Sequence, residues 1–207
     1  MLRCREWHVI RLDLKRRMAQ ITGILLAAGA SRRFGGDKLS YTLPNGSAVA
    51  EQACRNLGQA VDRVLAVVRP GADIVAEALK AAGARVVVCA EADSGMGASL
   101  ACGVAASADA DAWLVALADM PWIAPQTVAS VADALRNGAA IAAPCRQGRR
   151  GHPVGFARHL VADLLALHGD NGAKSVIERY RAQLQLVEVA DPGILRDIDT
   201  PTDLIQL

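Results

Sequence analysis

The chain reads as an open, three-layer α/β fold, a mostly parallel sheet with helices on both faces. Three observations predict it. Several short runs are apolar throughout rather than alternating, as strands buried on both faces must be. The segments between them carry apolar residues at helical spacing. Glycine, proline and asparagine punctuate the joins.

Residues 21–28 (ITGILLAA) form the first buried strand, which ends in a glycine-containing loop. Residues 47–60 place Ala50, Ala53, Cys54 and Leu57 on one helical face. Residues 63–68 are strand-like and are broken by Arg69-Pro70-Gly71. Helical spacing returns over 72–82 through Val75, Ala78, Leu79 and Ala82, and Gly83 stops it. A β-branched run over 85–89 and a helical pattern over 97–106 follow. Residues 112–118 (AWLVALA) are a continuous apolar strand. The next helix spans 125–136, with proline in its first turn and Asn137-Gly138 past its end, before a strand at 139–143. The stretch 148–155 (GRRGHPVG) interrupts the alternation as a loop or hairpin ahead of a helix near 158–167. A strand at 184–189 and a short terminal helix over 196–204 complete the pattern. Open α/β sheets bind ligands beyond the carboxyl ends of their strands, so the loops after Ala28, Cys89 and Ala118 are the places to search.

Bulk properties exclude other classes. Lys+Arg 23 against Asp+Glu 21 leaves a formal charge of +2, too little for a nucleic-acid-binding field, and part of the excess lies in the first 17 residues. Aromatic residues make up 3%, which gives no stacking platform for single-stranded bases. The five cysteines are scattered, odd in number and without a CxxC pair, so they read as buried apolar thiols. No apolar run approaches the roughly 20 residues of a membrane span, and the charged opening segment lacks the apolar centre of a secretory signal. The expectation is a cytoplasmic protein with neither nucleic-acid nor membrane partners. Residues 1–17 read as a tail or a misassigned start, with an added amphipathic helix as the competing reading. Residues 18–207 read as a single domain.

The loop after the first strand carries most of the chemistry. Small residues at Ala27, Ala28, Gly29 and Ala30 let backbone N–H groups approach an anion, and Arg33 and Lys38 add positive charge around Gly35-Gly36. A triphosphate needs both features. Neither common phosphate motif fits: Gly29 to Gly35 is too long for a P-loop and Lys38 is followed by Leu39, while Ala28-Gly29-Ala30 lacks the dinucleotide fingerprint's glycines. Asp119, at the end of the apolar strand in Ala118-Asp119-Met120-Pro121, offers oxygen to a hard cation, or caps a turn.

The segment Leu26-Ala27-Ala28-Gly29-Ala30-Ser31-Arg32-Arg33-Phe34-Gly35-Gly36-Asp37-Lys38 resembles the LAAG-x-S-x-R-x-G-x-x-K signature of the MobA-like nucleotidyltransferases, most closely their molybdenum cofactor cytidylyltransferase (MocA-like) branch. Further along, Gly95-Met96 with Ser99-Leu100 is similar to the family's G-M-x-x-S-L, and Gly151-His152-Pro153-Val154 to its G-H-P-V. Asp170-Asn171-Gly172-Ala173-Lys174 is similar to D-x-G-A-R with lysine for arginine, and 197–204 (DIDTPTDL) to D-I-D-T-P-E-D-L with Thr202 for glutamate. The likeness covers about residues 21–204.

The resemblance implies a Rossmann-like nucleotidyltransferase fold and Mg²⁺-dependent transfer of CMP from CTP to the terminal phosphate of the molybdopterin cofactor. Catalytic roles fall on Arg33, Lys38 and Asp119. Nucleotide contacts fall on Leu26, Ala27, Ala28, Gly29, Ser31, Gly35, Ser94 and Ser99, though capping by Ser94 reads equally well. Acceptor contacts fall on His152, Arg150 and Lys174; a structural His152 and a solvated Arg150 stand as alternatives, and lysine at 174 lacks arginine's bidentate fork. Asp119 and Asp199 are the metal carboxylates, with Asp197 as the substitute for the second. A molybdoenzyme or its chaperone is an implied partner. GTP with the same pterin, CTP with a sugar or polyol phosphate, and a non-catalytic nucleotide-binding protein are the rival readings.

Overall fold

The computed structural model describes residues 19–29, 34 and 37–204, with Pro201 and Leu204 as backbone. The expectations for residues 1–17 and for Ser31, Arg33 and Gly35 fall outside these described residues. Eight strands form one sheet: β1 (Ile21–Ala27), β2 (Arg63–Val68), β3 (Arg85–Val88), β4 (Ala112–Leu117), β5 (Ile141–Arg146), β6 (Arg149–Arg150), β7 (Val154–Ala157) and β8 (Leu184–Glu188). Among the described residues six α-helices accompany them: α1 (Val49–Gly58), α2 (Asp73–Ala81), α3 (Met96–Ala105), α4 (Pro125–Arg136), α5 (Val161–Leu165) and α6 (Lys174–Arg179). Among the described residues no helix is long and apolar enough to cross a membrane.

The strand order runs β3-β2-β1-β4-β7-β5, with β6 and β8 both paired to β5. Pairs β1–β2, β1–β4, β2–β3 and β5–β8 are parallel, as the apolar runs require. The exception is β7, which pairs antiparallel with both β4 and β5. It is the returning arm of the hairpin read from 148–155, lengthened into the middle of the sheet, where Val154 and Phe156 are buried. A four-residue strand broken from its partner by Gly151-His152-Pro153 carries too short a pattern to announce a central position. Two further differences are local: the expected 196–204 helix is a 3-10 turn over Pro201–Leu204, and α6 lies where the sequence offered only a motif.

Side-chain alternation along β1 explains the three layers. Ile21, Leu25 and Ala27 point to one face with Leu114, Val131 and Leu135, where α1, α2 and α4 pack. Ile24 points to the other with Leu100, Val104, Trp113 and Phe156, where α3 and α5 pack. Glu51 accepts a hydrogen bond from Ala48 N at 3.1 Å and so closes the start of α1. The start of α4 is closed from a distance, because Asp191 accepts from Ala124 N and from Thr127 Oγ1, each at 2.8 Å. The four cysteines among the described residues are free thiols.

Order 3-2-1-4 places β1 at a reversal of strand progression, with β2 on one side and β4 on the other. The crevice beyond the carboxyl ends of β1 and β4 is the position where such sheets take ligands. Trp113 in the buried face donates from Nε1 to Ser107 Oγ at 3.0 Å, and that hydroxyl donates in turn to Gly103 O at 2.7 Å, tying α3 to β4. Ser107→Ala leaves the indole N–H buried without an acceptor. A loss of about 1–3 kcal/mol in urea unfolding is expected, with the native fold retained.

Candidate functional site

The site forms where three chain segments meet beyond β1 and β4. The first is the loop after β1, of which Ala28 and Gly29 are described, and which returns as a 3-10 turn at Lys38–Ser40. Asp37 caps that turn by accepting from Leu39 N at 3.2 Å. The second is the end of β4, where Ala118 N donates to Leu26 O at 3.0 Å and sets Asp119 one residue beyond. The third is the carboxyl-terminal segment, where Ile198 N donates to Asp119 O at 3.0 Å and the fully buried Ile198 anchors the chain. Asp203 accepts from Asp199 N and Thr200 N and holds the turn that presents Asp199.

Lys38 joins all three segments. Its Nζ lies 2.7 Å from Asp119 Oδ2, 2.7 Å from Ile198 O and 3.4 Å from Asp199 Oδ1, and the residue is 8% exposed. Burial alone would depress its pKa, but the hydrogen bond and charge of Asp119, then those of Asp199, outweigh it and raise the pKa above the ordinary lysine value. The ammonium therefore stays charged. Asp119 Oδ1 is buried without a protein partner. An orphaned carboxylate oxygen is costly unless a cation or water meets it, which fits the divalent-cation role expected of Asp119. Among the described residues no group of three or more His, Cys, Asp or Glu is arranged to hold a metal.

A cavity of about 480 Å³ opens in front of this cluster, lined by Leu26, Ala28 and Gly29 on one wall, Lys38 and Asp119 at one end, and Ser99 on α3. Ala27 and Ser94 do not line it. Gly95, not Ser94, is the N-cap residue of α3, and Ser94 sits in the preceding 3-10 turn. Asp93 also lines the cavity without a signal in the sequence, and Met96 and Asp170, which stand in the family motifs but carry no site role of their own there, line it too. Their arrangement depends on packing between distant loops: Gly97 N donates to Gly169 O at 2.8 Å, and a Cβ on Gly95 (φ +111) would collide with the backbone of Gly169. The glycines here serve a close approach of two backbones.

A second cavity of about 160 Å³ shares Leu26, Met96 and Leu117 with the first. Arg150, His152 and Lys174 all line it, together with apolar residues including Leu100, Val115 and Phe156. Arg150 stands on β6, His152 in the turn into β7 and Lys174 at the start of α6, so three sequence motifs converge on one space. The carboxyl-terminal segment braces it: His152 N donates to Ile194 O at 3.1 Å, and a Cβ on Gly151 would strike that same carbonyl. His152 Nδ1 is buried without a partner. Burial, then the nearby Arg150 charge, push its pKa down to about 4 against the weaker opposing pulls of Asp119 and Val115. The imidazole is neutral at pH 7.

This depressed value has a signed consequence. Below about pH 6.5 an unfolded histidine takes up a proton that folded His152 refuses, so its contribution to stability is present at neutral pH and lost as pH falls toward 4. Across that window the urea midpoint of the wild type is expected to fall more steeply than that of His152→Gln. Parallel curves would show that His152 does not titrate abnormally.

Known proteins bear on this geometry. The chain is 30% identical over 197 residues to "Nicotine blue oxidoreductase" of Paenarthrobacter nicotinovorans, spanning 90% of this chain and 96% of that one. Among solved structures, Rv0371c of Mycobacterium tuberculosis H37Rv superposes with a TM-score of 0.80 at 29% identity, covering 91% of this chain and 96% of the other; another structure of Rv0371c is a complex with manganese (27% identity, TM-score 0.73, 91% and 98% covered). A nucleotidyl transferase from Methanothermobacter thermautotroptrophicus reaches 0.78 at 27% identity, over 90% and 95% of the two chains. The model of the MobA-like NTP transferase domain matches residues 23–185, which include most of β1, Lys38, Asp119, His152 and Lys174. The chain belongs to the MobA-like NTP transferase family.

Proposed function

We propose that the chain transfers CMP from CTP to the terminal phosphate of the molybdopterin molybdenum cofactor, releasing pyrophosphate and forming a cytosine dinucleotide. The observation that carries this reading is the pair of adjoining cavities. The larger holds Gly29, Lys38 and Asp119, and the smaller holds Arg150, His152 and Lys174, with Leu26, Met96 and Leu117 shared between them. A nucleotide in the first then lies beside an anionic acceptor in the second.

The reaction is an in-line displacement. An oxygen of the acceptor phosphate bonds to the α-phosphorus of CTP as the bond from that phosphorus to the bridging oxygen of pyrophosphate breaks. The attacking oxygen is already ionised at neutral pH, so no strong general base is required, and positioning and charge neutralisation dominate. Gly29 and its small neighbours let backbone N–H groups approach the triphosphate. Lys38, with Arg33, neutralises charge gathering on the leaving pyrophosphate. Asp119 and Asp199 would hold Mg²⁺, which supplies further charge neutralisation when bound. Ser99 faces the nucleoside. Arg150 and Lys174 attract the acceptor's phosphate, and neutral His152 shapes and hydrogen-bonds in the acceptor cavity without adding charge.

Pyrophosphate release, measured with each triphosphate in the presence and absence of the pterin cofactor and Mg²⁺, tests the reading. Dependence on CTP and pterin together is expected. Release with GTP and the same pterin, or with CTP and a sugar phosphate, would move the substrate assignment. Oxidation of a reduced nicotinamide dinucleotide with no triphosphate consumed would overturn it in favour of the oxidoreductase named among the relatives. Asp119→Ala should lower kcat on the order of 10²-fold or more, as loss of a preorganised charge does. Arg150→Ala should raise the acceptor KM about tenfold and leave the CTP KM unchanged, a split visible in initial-rate kinetics.

A further inference from the structure

The position of Lys38 poses a conflict within the proposed site. Its ammonium uses all three donors on Asp119 Oδ2, Ile198 O and Asp199 Oδ1, at 2.7, 2.7 and 3.4 Å. Asp119 and Asp199 would also be the carboxylates that hold a divalent cation. Such an ion would compete with Nζ for the charge of that pair. At neutral pH both are cations, so neither tolerates the other between the two carboxylates. The lysine stem is flexible, and Lys38 lines the larger cavity, so a rotation of this side chain is enough to carry its charge from the carboxylates into that space.

We propose that Lys38 is a resident counterion: in the nucleotide-free protein it occupies the place of the metal between Asp119 and Asp199, and only a bound triphosphate, by offering its phosphates to the ammonium, vacates that place. The inference rests on the transferase reading above and adds an order to it. Metal alone binds poorly, triphosphate and metal bind together, and the free enzyme keeps half the charge of its two carboxylates balanced and its three segments tied. A carboxylate pair without such a counterion would take up a divalent cation whether or not nucleotide was present. The unpartnered Asp119 Oδ1 is the second mark of this arrangement, since the lysine satisfies only one of the two carboxylate oxygens and leaves the other buried without a partner.

Titration with Mn²⁺, following the free-ion electron paramagnetic resonance signal, tests the proposal without reference to turnover. Wild type, Lys38→Met and Lys38→Gln are compared without nucleotide, and wild type is repeated with CTP. Glutamine keeps a hydrogen-bond donor for Asp119 and Ile198, so it preserves the tie between segments where methionine does not fold. Both uncharged variants, or glutamine alone if methionine fails to fold, are expected to bind Mn²⁺ at least tenfold more tightly than nucleotide-free wild type. Adding Asp119→Asn to Lys38→Gln should abolish the gain. Equal affinity in wild type and Lys38→Gln would overturn the proposal, as would a gain that survives Asp119→Asn. If wild type with CTP still retains Mn²⁺ while Lys38→Gln shows no gain, the transferase reading stands and the counterion role falls. No protein-bound Mn²⁺ in any of these mixtures would overturn both.

Discussion

One ammonium group organises the carboxyl end of this sheet. Lys38 Nζ meets Asp119 from the end of β4, Ile198 O and Asp199 from the last turn, and is itself carried by the turn that ends the loop after β1. Without a cation at that point, two carboxylates and a carbonyl would face one another, an arrangement that like charge and the burial of Asp119 disfavour. The three segments are separated by 81 and 161 residues in sequence, so this contact also closes long loops. The site and the topology are therefore one problem: the strand order 3-2-1-4 brings β1 and β4 side by side, and the lysine joins what that adjacency leaves open.

Much of this was legible before any coordinates. The strands β2 and β4, the helix α4 and the parallel pairing follow from apolar runs and helical spacing, because buried parallel strands tolerate little else. Lys38, Asp119, Arg150, His152 and Lys174 were all named from local motifs, and the structure gathers them into two adjoining cavities. What local patterning does not hold is pairing across distance. The central place of β7, the contact of Gly95 with Gly169 and the bracing of Gly151 by Ile194 depend on which segments meet, and no period of 2 or 3.6 encodes that. Asp191 is the clearest instance. Nothing in its neighbourhood announces that it closes a helix 64 residues away by accepting from Thr127 Oγ1.

The same distinction applies to charge. The sequence, through its likeness to the family motifs, named Lys38 as a phosphate ligand and Asp119 and Asp199 as metal ligands, treating them as independent parts. In the folded chain they are partners. Their placement changes the question from which residue binds which group to how one set of contacts is exchanged for another when substrate arrives. His152 shows a parallel effect: a histidine that reads as a polar functional group is made neutral at pH 7 by burial and by Arg150, so its usefulness lies in hydrogen bonding and shape.

The antiparallel β7 carries a consequence for how such a protein changes over time. The triphosphate end of the proposed site is built on β1, its loop and β4, in the parallel half of the sheet, with α3 and the carboxyl-terminal segment closing it. The acceptor end hangs on the arm that returns along β5, first β6 and then β7, with β7 set between β4 and β5, and on the start of α6. Among the described residues only Leu26, Met96 and Leu117 are common to both cavities. Substitutions along the hairpin and α6 can thus reshape the acceptor chamber while the nucleotide chamber keeps its walls. A scaffold divided in this way lets one transfer chemistry be retained as its second substrate is exchanged.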